Sequence, residues 1–119
     1  MPKTPPTAET GDCAMQRGEV WWHEAPDENR RPYLVLTRSE GIPVLNQLLA
    51  VPATRTVRSI PTEVPLSATD GMPDDCVLSL DNLRVVRKSM LVEQITTLGA
   101  TRMAEVCAAL GFATACDDD

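Results

Sequence analysis

Apolar and polar positions along this chain change period once. From residue 18 to residue 99 they come in short runs broken by proline, glycine and acidic turns; beyond residue 100 they recur at helical spacing. GEVWWHE (18–24) puts Val20 and Trp22 toward one side and Trp21 and His23 toward the other, which predicts a first strand. APDENRRP (25–32) is rich in turn formers and predicts a connector. YLVLTR (33–38) predicts a second strand, with Pro32 where a missing backbone donor is tolerated. LNQLLAVPATR (45–55) predicts a third, in which Pro52 marks an edge, a bulge or a bend, and PTEVPLS (61–67) a fourth. After the turn TDGMPDD, CVLSLDNLRVVRK (76–88) predicts one or two short strands broken near Asp81 and Asn82. MLVEQITTLG (90–99) predicts the last strand, with Leu91, Glu93, Ile95 and Thr97 on one face. In ATRMAEVCAALGF (100–112) Met103, Val106, Ala109 and Leu110 fall on one helical face. Thr101 is the expected cap, Gly111 the expected stop, and Phe112 is expected to pack back.

Five to seven short strands followed by one helix predict a mainly β domain: a small barrel or sandwich with a terminal helix laid against it. A chain of 119 residues suits one such domain, expected over 17–112, between a loose leader (1–16) and an acidic tail (113–119). A half-open small barrel leaves strand edges and an apolar face apt for a second copy of the chain. No stretch approaches the ~18 consecutive apolar residues of a membrane span, and the proline-rich leader is unlike a secretory signal. The four cysteines (Cys13, Cys76, Cys107, Cys116) are irregularly spaced without a CxxC. They read as reduced thiols of a cytoplasmic protein, and with one histidine they offer no tetrahedral metal set.

Charge changes the picture. The formal net charge is -6, which by itself argues against a polyanionic partner. The distribution argues the other way. Residues 30–58 carry five arginines against Glu40 alone, a local +4, and Arg84, Arg87 and Lys88 form a second basic cluster. The two segments can hold a polyanion if the fold brings them together; otherwise they are solvated strand-edge charges.

Several segments, in order, resemble the MazF/PemK-like toxins of bacterial toxin–antitoxin pairs. They are RGEVWW (17–22), RRPYLVLT (30–37), LAVPAT (49–54), VPLSATDGMPDDCVLSLDNLRVVRKSML (64–91) and ITTLG (95–99), together covering Arg17 to about Phe112. The resemblance implies an SH3-like barrel of the CcdB/PemK type with a C-terminal helix, acting as a homodimer. It implies metal-independent cutting of single-stranded RNA at short sequences, leaving a 2′,3′-cyclic phosphate and a 5′-hydroxyl, with no cofactor. It also implies a cognate antitoxin that covers the RNA groove. The family's catalytic arginine and threonine map onto Arg31, directly before Pro32, and Thr54, in the VPAT segment.

The residue chemistry agrees with that mapping. Attack by a 2′-hydroxyl requires its deprotonation, stabilisation of a phosphorane and protonation of the 5′-oxygen. A pair of histidines is excluded, because His23 is the only one. Arginine offers a planar fork to phosphate oxygens and stays charged, so Arg31 is assigned to the phosphorane, with a part in proton transfer left open. Thr54 can donate its hydroxyl to a nonbridging oxygen. Arg30, Arg55 and Arg58 are expected phosphate contacts. Asn82, where the family often has glutamine, either reads a base edge or caps a turn, and His23 either meets a base or is an ordinary polar strand end. Trp21 and Trp22 are expected to pack rather than stack on bases.

Three features depart from the family pattern. The segment before Arg31 is short and acidic, so Asp27 and Glu28 are expected to repel phosphate there; Arg55 takes the place of a serine or threonine; and the helical region looks abbreviated. The competing expectation is a non-enzymatic, CcdB-like toxin that poisons DNA gyrase by binding.

Overall fold

The computed structural model describes residues 15–116. Most of the expected leader with Cys13, and the three aspartates that end the expected tail, lie outside the described residues.

Seven strands precede one helix: β1 (Glu19–His23), β2 (Arg31–Val35), β3 (Gln47–Thr54), β4 (Glu63–Leu66), β5 (Cys76–Ser79), β6 (Arg84–Arg87), β7 (Leu91–Thr97) and α1 (Ala100–Thr114). All pairings are antiparallel, in the order β4-β5-β3-β2-β1-β7, and β6 joins β3 on the side that β5 also uses. The segment 76–88 is two strands, separated by a 3-10 turn over Leu80–Asn82, where the sequence places the break.

Pro52 explains how one strand serves two neighbours. Gln47–Ala50 pair with β6 and Ala53–Thr54 pair with β5, while β2 runs along the other side as Tyr33↔Pro52, Leu34↔Val51 and Val35↔Ala50. Pro52, which has no backbone donor, sits in the gap between the two partners, where no ladder bond is lost.

Alternation gives the sheet two apolar faces. Val20, Leu34, Val51, Ala53, Val64, Leu66 and Leu78 face α1, which contributes Val106 and Ala109. Tyr33, Val35, Leu48, Ala50, Val86 and Leu91 form a second cluster, closed by Ile42 from a 3-10 turn over Ser39–Val44, with Trp21 packed against it.

The barrel is not closed by its ladder: β4 and β7 are unpaired ends. Side chains bridge them instead. Thr96 Oγ1 donates to the Asp70 carbonyl at 2.8 Å, and Arg102 of α1 donates to both oxygens of the Asp70 carboxylate at 3.1 and 3.2 Å. Burial pushes the Asp70 carboxyl up, but the hydrogen bonds from Arg102 and from the Ser67 N–H, with the Arg102 charge, outweigh it and hold the group below its ordinary value. Gly71 completes this corner at φ +91°, and a Cβ there would collide with Thr96 Oγ1.

Three expectations for the helix are corrected. Its N-cap is Gly99, without a side-chain bond, and Thr101 lies inside the first turn. It runs through Gly111 to Thr114 and ends in left-handed Ala115, whose N–H bonds the Phe112 carbonyl while that of Cys116 bonds the Gly111 carbonyl. One glycine costs a helix only about 1 kcal/mol, which packing at Ala109 and Leu110 offsets. Phe112 does not pack back; it is 57% exposed.

Candidate active site

The β2–β3 register carries the arrangement. Arg31, first residue of β2, and Thr54, last residue of β3, each lie two residues beyond Tyr33↔Pro52, the last pair of the β2–β3 ladder. At this end the strands part: Arg31 pairs with His23 of β1, and Thr54 pairs with Val77 of β5. A cleft of about 430 Å³ opens there, lined by Arg31, Thr54, Trp22, Pro32, Asp74 and Cys76 among others.

Within that cleft the two residues are chemically available. The Arg31 side chain is exposed and has no hydrogen bond or ion pair among the described residues, so its fork is free for an anion. Thr54 Oγ1 accepts the Thr56 N–H at 3.2 Å, which orients the oxygen while leaving its proton to donate. Burial, then the charges of Asp75 and Asp74, push the Cys76 thiol up, making it an uncharged wall rather than a nucleophile.

The other arginines expected at the site are engaged. Arg30 lies over the Trp22 ring, 4.4 Å from its centroid, and bridges Glu24 at 3.3 Å and Glu93 at 2.7 Å. Arg55 pairs with Asp74 at 2.8 Å on the cleft rim. Arg58 meets Glu63 at 3.8 Å and does not line the cleft. Exposed pairs of this kind are worth about 0–1 kcal/mol, so Arg30 and Arg55 can exchange carboxylate for phosphate at small cost.

Neither His23 nor Asn82 lines the cleft. Asn82 sits in the turn after β5, its amide donating to Ser79 Oγ at 2.9 Å. His23 is 6% exposed and its ring lies tilted against Tyr33, with centroids 4.7 Å apart, so it offers no open ring face. Burial lowers its pKa; the Glu28 charge opposes this and the Arg84 charge adds to it. The ring is therefore neutral near pH 7.

Two residues of this region escape the sequence reading. Trp22, expected to pack, forms a cleft wall under Arg30. Arg84 of β6 donates to Tyr33 Oη at 2.8 Å, a bond that raises its pKa further. With Arg31, Glu28, Asn29 and Tyr33 it lines a second cavity of about 220 Å³. Here the two basic segments meet, and Arg31 belongs to both cavities. The only sequence signal was the basic character of Arg84; its place follows from β6 pairing with β3. Of the acidic pair expected near Arg31, Glu28 lines its cavity and Asp27 does not. A larger cavity of about 670 Å³, among Met15, Trp21, Ile42 and Leu91, contains neither Arg31 nor Thr54.

Among the described residues no group of three or more His, Cys, Asp or Glu side chains is placed to hold a metal ion, and no helix is long and apolar enough to cross a membrane.

Comparisons with known proteins agree with the geometry. A family model described as "PemK-like, MazF-like toxin of type II toxin-antitoxin system" matches residues 16–113. "Probable endoribonuclease MazF5" of Mycobacterium tuberculosis is 39% identical over 101 residues, 84% of this chain and 93% of that protein. "Endoribonuclease MazF3" of the same organism is 36% identical over 91 residues, 76% of this chain and 88% of that protein. Among solved structures, the M. tuberculosis toxin MazF-mt6 superposes with a TM-score of 0.75 at 32% identity, covering 82% of this chain and 96% of its own. A MazE–MazF structure from Deinococcus radiodurans gives 0.72 at 28% identity, covering 85% and 96%.

Proposed function

This chain belongs to the PemK-like, MazF-like toxins of type II toxin–antitoxin systems, and from that premise we propose that it is an endoribonuclease that cuts single-stranded RNA without a metal. The 2′-hydroxyl on the 5′ side of the cut attacks the phosphorus, the 5′-oxygen leaves, and the products carry a 2′,3′-cyclic phosphate and a 5′-hydroxyl. The observation that supports the reading is that Arg31, without a hydrogen bond or ion pair among the described residues, and Thr54 line one cleft. As the phosphorane forms, Arg31 supplies a fixed positive charge and two donors to its equatorial oxygens, and Thr54 adds a third donor. Neither reorganises during the step, which is why such groups lower the barrier. Arg31 holds its proton too tightly to serve alone as the base.

Arg30 and Arg55, on the cleft walls, guide the flanking phosphates. Arg58 and Asn82, which do not line the cleft, are assigned to contacts with a longer strand. His23 serves by supporting Tyr33 rather than by meeting a base.

The toxin works in the cytoplasm as a homodimer held by a cognate antitoxin. Relatives solved as MazE–MazF pairs support the antitoxin. Leu49 and Val85, opposite each other in the β3–β6 ladder and both exposed, support a second copy. A gyrase-binding toxin is not favoured, since the named relatives are endoribonucleases.

The test is a mixed single-stranded RNA incubated with purified protein in EDTA. The expected products carry cyclic-phosphate ends, and a 2′-deoxy nucleotide on the 5′ side of a mapped cut abolishes cutting there. Inhibition of supercoiling with no cutting of any RNA would overturn the proposal in favour of a gyrase poison.

A further inference from the structure

We propose that the cavity beside Arg31 reads a guanine base adjacent to the cut; this rests on the endoribonuclease reading and deepens it. Its walls are Glu28, Asn29, Arg31, Tyr33 and Arg84, around about 220 Å³. Three other carboxylates near the site are occupied: Glu24 and Glu93 by Arg30, Asp74 by Arg55. The Glu28 carboxylate has no hydrogen bond or ion pair among the described residues, and neither does Arg31. One negative and two positive side chains thus share the cavity, and Glu28 and Arg31 do not close on each other, leaving an acceptor and a donor separated by space.

A phosphate could meet Arg31 and Arg84 there but would set the Glu28 carboxylate against a like charge. A base with adjacent donors and an acceptor suits that space. Guanine is the one base whose Watson–Crick edge offers two neighbouring N–H donors, N1 and N2, beside the O6 acceptor. The Glu28 carboxylate accepts from both, and Arg84, steadied by its bond to Tyr33 Oη, donates to O6. Single-stranded RNA presents such edges because its bases can be turned out of the strand. Arg31, common to both cavities, sets the base next to the phosphate being cut.

The experiment is cleavage-end mapping on a randomised single-stranded RNA with wild type, Glu28→Ala and, as control, Asp27→Asn. Wild type and Asp27→Asn are expected to enrich guanine within two nucleotides of the cut by about tenfold or more, the scale of a good bidentate base contact. Glu28→Ala is expected to lose that enrichment. On a defined substrate, replacing that guanine by inosine, which lacks the N2 donor, is expected to slow wild type about tenfold and Glu28→Ala less than about twofold. Cutting without guanine enrichment, or enrichment unchanged in Glu28→Ala, overturns this proposal and leaves the nuclease standing. Absence of any cutting by wild type overturns both.

Discussion

Replacing Thr54 by valine separates catalysis from architecture, because the side chain keeps its shape and loses only the hydroxyl. In the fold that hydroxyl accepts one exposed backbone N–H, from Thr56, at 3.2 Å. Water can take over that bond, so the stability loss is limited to about 0.5–1 kcal/mol. Valine is as good a strand residue as threonine, and the pairing of Thr54 with Val77 needs only backbone. In the proposed transition state the same hydroxyl is one of the few donors to the phosphorane. Losing such a donor costs about 10²–10³ in rate, or about 2.7–4 kcal/mol. The two magnitudes differ enough to be told apart. The assay is single-turnover cutting of an RNA with a mapped site, beside a urea titration of each variant. Thr54→Val is expected to cut about 10²–10³-fold more slowly with its unfolding midpoint nearly unchanged, and Thr54→Ser to recover most of the rate. A valine variant cutting within about threefold of wild type would reduce Thr54 to a strand former and refute the reasoning.

Two further predictions concern the frame around the site. Gly71→Ala forces an L residue to φ +91° and a Cβ into Thr96 Oγ1, at the corner that bridges the two sheet ends. A loss of about 2 kcal/mol or more is expected in urea unfolding, the left-handed backbone alone accounting for about 1–2; an unchanged midpoint would show that the corner does not hold those ends. The neutral, buried His23 makes stability depend on pH. Its folded pKa lies below the ordinary value of about 6.5, so the unfolded chain binds the proton first; the contribution is complete above about 6.5 and is lost as pH falls through the folded value. His23→Gln is expected to flatten the pH dependence of the unfolding midpoint below 6.5, whereas a slope equal to that of wild type would place the proton elsewhere.

What could be read from the residues was local. Strand positions followed from period-2 runs and their breakers, and two short motifs at the ends of neighbouring strands pointed to Arg31 and Thr54, which line one cleft. What escaped depends on residues far apart in the chain. Arg30 and Glu93 are 63 positions apart, so the neutralisation of Arg30 and its seat on Trp22 were invisible until β1 and β7 paired. Arg84 and Tyr33, 51 apart, meet only because β6 lies against β3. The burial of His23 had the same origin. At Gly111 a strong local stop signal yielded to packing of the helix on the sheet. The unclosed sheet reflects a balance between ladder bonds and the Asp70–Thr96–Arg102 bridge that a pattern of alternation does not encode.

The most direct test is the single-turnover rate of Arg31→Ala against wild type on one mapped RNA, in EDTA. The side chain is exposed and without a partner among the described residues, so folding stability should move by no more than about 0.5 kcal/mol. The account predicts a rate lower by more than about 10³-fold with unfolding and RNA end chemistry otherwise unchanged. Cutting at the wild-type rate would contradict it.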